Sequence, residues 1–199
     1  MYSDILRDNM FPNMLVSANF DDSIDRSSLI LEMENVMGEN SDSESYSNEG
    51  GYHSPGYWLT KGDKPILEKL AYTALKFVYG ELNYLKWDHN DFRVYYWFMV
   101  NELNNYNIIH QHGTSDLIGV YYAEVPECSG ELSIIRNDGI AYSSLFSRNG
   151  QDIFSLKPEA GRFYLMPGHM WHHVRSNGST KRRMSVAFNF SELVLDPLI

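Results

Sequence analysis

The chain has 199 residues, 43% of them hydrophobic, with 16 Lys and Arg against 26 Asp and Glu, and a formal net charge of −10. Its size suits one domain with a real core, and the acidic balance counts against non-specific nucleic-acid binding, which needs clustered cations facing phosphates. Cys128 stands alone, so no disulfide forms within the chain, and a reducing compartment fits. No apolar stretch approaches the ~20 residues that span a bilayer. The start, Met-Tyr-Ser-Asp-Ile-Leu-Arg-Asp, lacks the basic-then-apolar pattern of a secretory signal. The expectation is a soluble, cytoplasmic protein without membrane contact.

In chain order, residues 22–37 carry helical spacing, with Ile24, Leu29, Leu31, Met33 and Val36 apolar and Asp21 or Asp22 placed as cap. Residues 38–55 turn small and polar. They read as a mobile surface loop, with a lid over a site as the functional alternative. The clearest helix is 64–85, where Ile66, Leu67, Leu70, Ala71, Ala74, Leu75, Val78, Leu82 and Leu85 form an apolar stripe. Asp63 is placed to cap it, and Pro65 fits a first turn, where its missing N–H matters little.

From about residue 92 the period changes to two. Strands are expected at 93–101, 117–125, 130–135, 152–157, 161–166, 172–175 and 183–191. Turn signals separate them, among them Asn137-Asp-Gly139, Asn149-Gly150 and Pro167-Gly168. Helices first and many short strands after predict a single, mainly β domain, a sandwich or barrel. Residues 1–91 would then be a helical and loop portion packing on a core of 92–191.

Five of the seven histidines fall in two clusters, His110-Gln-His112 and His169-Met-Trp-His172-His173. On an extended segment His110 and His112 share a face, whereas His172 and His173 do not. Imidazoles from two different strands are a common way to build an open metal site. On the last strand Arg183, Ser185, Ala187 and Asn189 share one face. Met184, Val186, Phe188 and Phe190 share the other, which should pack on helix 64–85. A buried Arg needs an anion, and its planar fork suits a carboxylate. Either an acidic side chain elsewhere in the fold or a carboxylate ligand beside the metal answers that need.

These motifs resemble the 2-oxoglutarate/Fe(II)-dependent oxygenases, in particular a bacterial and phage group with a "His-x-His … Ser-Gly-Val-Tyr-Tyr" signature. Here it reads His110-Gln-His112-Gly-Thr-Ser-Asp-Leu-Ile-Gly-Val-Tyr-Tyr122. Gly161 to Val174 and Arg183-Met-Ser185-Val-Ala-Phe188-Asn189 follow in the group's order, and Phe11-Pro12 is weakly similar to its start. The resemblance covers about residues 93–191. It implies a double-stranded β-helix, a cupin-like jelly roll with N-terminal helices buttressing it. It implies Fe(II) on His110 and His172, 2-oxoglutarate as cosubstrate and dioxygen as oxidant. Arg183, Ser185 and the Tyr122 hydroxyl would hold the far carboxylate of 2-oxoglutarate. Most relatives carry a carboxylate two residues after the first ligand. Here that position is His112, so His112 is the expected third ligand, with Asp116 or water as alternatives. His169 and His173 are expected beside the site or on the surface. Tyr95, Trp97, Met99 and Tyr121 are read as core and left out of the site, with shaping of the cavity as the alternative.

The implied activity couples decarboxylation of 2-oxoglutarate to succinate with oxidation of a substrate C–H. The substrate is a small molecule or peptide that no motif identifies, and the oligomeric state is open, a homodimer included. Two rivals share these residues. A cupin would hold metal on His110, His112, Asp116 and His172 and act as isomerase, dioxygenase or ligand sensor, with no use for Arg183. A non-enzymatic jelly-roll interaction module would carry the histidines by chance.

Overall fold

The computed structural model describes residues 3–10, 13–60, 62–86, 89, 91–135 and 153–193. The turns expected at 137–139 and 149–150, and the Phe11-Pro12 pair, lie outside them.

Helix α1 (Arg26–Glu39) starts later than the apolar spacing suggests, because neither Asp21 nor Asp22 caps it. The Asp25 carboxylate accepts from the backbone N–H groups of Ser27 and Ser28, while Asp21 pairs with Arg26 at 2.8 Å. Helix α2 (Pro65–Leu85) starts close to the expected point, yet Asp63 does not cap it either. Asp63 pairs with Lys64. The open N–H groups of Ile66 and Leu67 donate instead to Glu32 on α1, at 3.0 and 2.8 Å. One helix therefore satisfies the free donors at the start of the other.

The strands form two sheets. The larger runs β1 (Ser3–Met10), β2 (Asn13–Asn19), β11 (Arg162–Pro167), β8 (Leu117–Glu124), β13 (Arg183–Glu192), β6 (Phe92–Asn101) and β4 (Tyr52–His53), with β5 (Tyr57–Trp58) also on β6. The smaller runs β10 (Ile153–Leu156), β9 (Leu132–Ile135), β12 (His172–Val174), β7 (Tyr106–His110) and β3 (Asn48–Glu49). Every pairing among the described strands is antiparallel. The seven expected strands are present, with ends displaced by a residue or two. Strands β1 to β5 and β7 were not expected, and the segment 38–55 contributes a strand to each sheet.

Two cores fix the arrangement. Between helices and large sheet, Met184, Val186, Phe188 and Phe190 of β13 meet Leu67, Leu70, Ala74 and Val78 of α2, the side predicted from parity. Phe77, which the apolar stripe omits, lies at the centre of this layer, its ring 5.6 Å from Phe20 and 5.8 Å from Phe163. Between the sheets, Leu15, Ile118 and Met166 meet Leu132, Ile134 and Met170. The outcome is the double-stranded β-helix, with helices on one outer face and a cavity between the sheets.

Candidate active site

Antiparallel pairing builds the site. His110 closes β7, His172 opens β12, and the two are direct cross-strand partners, with ring centroids 4.2 Å apart. His112 lies just past β7 on a loop pinned to the second cluster. Its N–H donates to the Gly168 carbonyl at 2.8 Å, and the Gly168 N–H donates to the Asp116 carbonyl at 3.0 Å. Position 168 admits no side chain, since a Cβ there would stand 1.9 Å from the Ser115 carbonyl oxygen. One ring nitrogen from each of His110, His112 and His172 lies within 4.8 Å of the others.

The Nδ1 atom of each ring faces an oxygen: Ile108 O for His110 at 2.7 Å, Met170 O for His172 at 2.9 Å, and Asn189 Oδ1 for His112 at 2.6 Å. Carbonyl oxygens only accept, so each Nδ1 carries the proton and each Nε2 keeps its lone pair. This is the tautomer a metal ligand needs, with the orienting partners that metal-bound histidines have. Burial keeps the rings neutral. It pushes His172 down to about 3 and His112 down to about 4, and lowers His110 as well. The donor chemistry thus fits a borderline transition metal such as iron.

Arg183 and Ser185 are both buried, Arg183 to 1% exposure. Arg183 Nη1 donates to the carbonyls of Ser129 and Arg175, while its buried Nη2 has no hydrogen-bond partner. No acidic side chain pairs with Arg183 among the described residues, so the ion-pair alternative is not met there. An unpartnered guanidinium N–H is costly unless something binds it, and the orphan fits a carboxylate. Ser185 is the cross-strand partner of Tyr122, whose phenol burial pushes up to about 12 against the opposing pull of Arg183. The neighbouring Arg182 points the other way, to Glu34 and Glu124, so strand parity splits the Arg182-Arg183 pair into a surface ion pair and a buried cation.

Asp116 is exposed and outside the metal group. Its Oδ2 accepts from the Glu192 N–H at 2.7 Å. His169 is exposed and His173 half-buried, and neither joins the three. Tyr121 is core, in contact with Phe20, as expected. Tyr95, Trp97 and Met99 follow the cavity-shaping alternative and not the core reading, for they line the cavity of about 680 Å³ in which the imidazoles stand. Their alternate neighbours Val94, Tyr96 and Phe98 are the core residues. Asn189 was missed as a histidine partner, though parity puts it on the face of Arg183. Glu44 and Tyr46, and His53 on β4, also line the cavity; they belong to the segment 38–55 for which a lid over a site was the functional alternative.

Fold and site define a class, that of double-stranded β-helix metalloenzymes. Residues 95–189 match the family described as "Putative 2OG-Fe(II) oxygenase". The match spans His110, His112, Tyr122, His172 and Arg183 and makes this an enzyme of the 2OG-Fe(II) oxygenase type, whose cofactors are Fe(II) and 2-oxoglutarate. No curated protein matches the chain. Solved structures similar in fold include a Pseudomonas putida prolyl-4-hydroxylase, at 15% identity and TM-score 0.63 over 89% of this chain and 91% of that one. A Trichoplax adhaerens prolyl hydroxylase, solved with a hypoxia inducible factor peptide, aligns at 12% and 0.58 over 84% and 78%. HygX from Streptomyces hygroscopicus, solved with nickel and 2-oxoglutarate bound, aligns at 10% and 0.58 over 90% and 83%. Among the described residues no helix is long and apolar enough to cross a membrane.

Proposed function

We propose that this protein hydroxylates a C–H bond of a small-molecule or peptide substrate, coupled to decarboxylation of 2-oxoglutarate to succinate. One pair of observations supports the reading: three imidazoles with free Nε2 atoms line a cavity, and the strand whose Ala187 and Asn189 also line it carries, on the same face, a buried guanidinium whose Nη2 has no partner. His110, His112 and His172 would hold the iron. His112 is favoured over Asp116 as third ligand because the Asp116 carboxylate is engaged by the Glu192 N–H. Arg183 would take the far carboxylate of 2-oxoglutarate on Nη2, with Ser185 and Tyr122 beside it. Iron and 2-oxoglutarate supply an oxidant for a C–H bond when bound. The chain's own residues hold the rings neutral and oriented, neutralise the cosubstrate's far end, and keep water away with an apolar wall that includes Ile118, Leu132, Met166 and Val174. A reducing cytoplasm suits both Fe(II) and the free, exposed Cys128.

Titration calorimetry of Mn(II)-loaded protein with 2-oxoglutarate tests the proposal. One site per chain is expected, and it should be lost in Arg183→Ala. No binding overturns the proposed coupling to 2-oxoglutarate at this site, and binding unchanged in that variant removes Arg183 as its anchor.

A further inference from the structure

The outer part of the cavity has a chemistry that the iron and 2-oxoglutarate reading does not use. Glu44 and Tyr46 come from the loop between α1 and β3, His53 from β4, and Tyr95 and Trp97 from β6. The rings follow one another along one wall: Tyr46 tilted on His53 at 5.3 Å, His53 stacked on Trp97 at 5.7 Å, Trp97 tilted on Tyr95 at 6.0 Å. Trp97 stacks in turn on His112, at 5.8 Å and 18°, so the wall runs up to the proposed metal ligands.

Glu44 is the single acid or base, histidines aside, among the described residues lining this cavity. The Glu44 charge pushes the neighbouring Tyr46 phenol up and also acts on His53 and Tyr95. No Lys or Arg is among those lining residues to neutralise it. Tyr46 is 69% exposed, an arrangement that leaves a large ring face open at the mouth. Aromatic faces attract cations, most strongly when partly shielded from water, and a lone carboxylate beside them adds charge complementarity. The same wall disfavours an anionic substrate.

We propose that this wall is a subsite for an organic cation, an ammonium or guanidinium group on the substrate, with Glu44 as counter-ion and Tyr46 and Tyr95 as cation–π faces. Binding itself needs only the cavity. The further step, oxidation of a carbon near that nitrogen, rests on the proposed oxygenase function. The cation can belong to a free amine or to a basic side chain of a peptide.

The test is calorimetric titration of the Mn(II)- and 2-oxoglutarate-loaded full chain. One arm uses hexylamine, 1-hexanol and hexanoate; the other uses N-acetyl-lysine amide and N-acetyl-arginine amide against N-acetyl-norleucine amide. In at least one arm the cation should bind at least about tenfold tighter than its neutral counterpart, more weakly as salt rises. The anion should not bind. Glu44→Gln should remove most of that preference, roughly five- to tenfold, and Tyr46→Leu part of it, with Tyr46→Phe keeping more than Tyr46→Leu. The arm that responds identifies the source of the cation. Cations that bind no better than neutral probes, or a preference that survives in Glu44→Gln, overturn the subsite. 2-Oxoglutarate titrations of the same variants separate the two readings. If the cosubstrate fails to bind wild type while cations bind, the inner-site assignment falls and the subsite stands. If it binds every variant as it binds wild type and cations show no preference, the subsite falls alone.

Discussion

His110 and His172 face each other across the β7–β12 pair, each with its Nδ1 donating to the carbonyl two residues earlier in its own chain. Backbone geometry therefore aims both Nε2 atoms before any metal arrives. His172→Ala or His110→Ala should abolish tight Fe(II) or Mn(II) binding. Asn189→Ala, which removes only the oxygen orienting His112, should weaken it about 10- to 100-fold. Asp116→Asn should leave it within about twofold, since a ligand's loss costs far more. Anaerobic metal titration reads all four, and a large loss in Asp116→Asn would transfer the third ligand to that residue.

Arg183 should be the largest determinant of cosubstrate affinity. Truncating one partner of a buried charge pair costs about 2–4 kcal/mol, roughly 30- to 1,000-fold in Kd for Arg183→Ala. Arg183→Lys keeps the charge but loses the planar fork and should fall between wild type and Ala. Calorimetry with 2-oxoglutarate orders the three proteins.

The metal-free protein should lose stability on mild acidification. Burial depresses His172 to about 3 and His112 to about 4, against 6.5 for an unperturbed imidazole. Below pH 6.5 the unfolded chain takes up protons that the folded one refuses, so stability is complete above that pH and declines as pH falls toward 4. Thermal melts should be flat above pH 7 in this respect and fall below about 6.5. His172→Asn should show a shallower decline; an equal slope would exclude the buried imidazole as its source.

Glu32→Ala should destabilise the fold although it touches no part of the site. It removes both acceptors for the first free N–H groups of α2. A lost cap costs about 1–2 kcal/mol, a drop of roughly 3–6 °C in melting temperature for a chain of this size. Glu32→Gln, with one acceptor left, should lose less.

Much of this architecture was legible because burial and sequence period agree. Strand β13 alternates cleanly, and its parity foretold both the Arg183 face and the face against α2. Strand β7 was missed because its pattern runs backwards. Asn107 is buried, whereas Ile108 and Ile109 are exposed, so the apolar signal falls on the wrong positions. Strand β2 is buried on nearly every residue from Met14 to Ala18, so a period of two has nothing to mark. The segment 38–55 looked featureless because amides, not apolar side chains, hold it: Asn101 Nδ2 donates to Asn48 Oδ1 at 3.3 Å, and Asn107 Nδ2 to Ser47 Oγ at 3.3 Å. Spacing marked the two histidine clusters, and the family resemblance chose His110, His112 and His172 from them. The cavity wall could not be read in this way, because alternation separates two faces without telling which one meets empty space.

The three imidazoles also have a mechanical meaning. His110 and His172 belong to neighbouring strands of the small sheet but lie some 60 residues apart in the chain, and His112 is tied to β13 of the large sheet through Asn189. A cation held by all three would act as a rivet through both sheets, closing a long loop that the unfolded chain leaves open. Filling the site should then slow the separation of the sheets as well as equip it for chemistry, so an iron-starved cell would hold this protein in a looser and more protease-sensitive form.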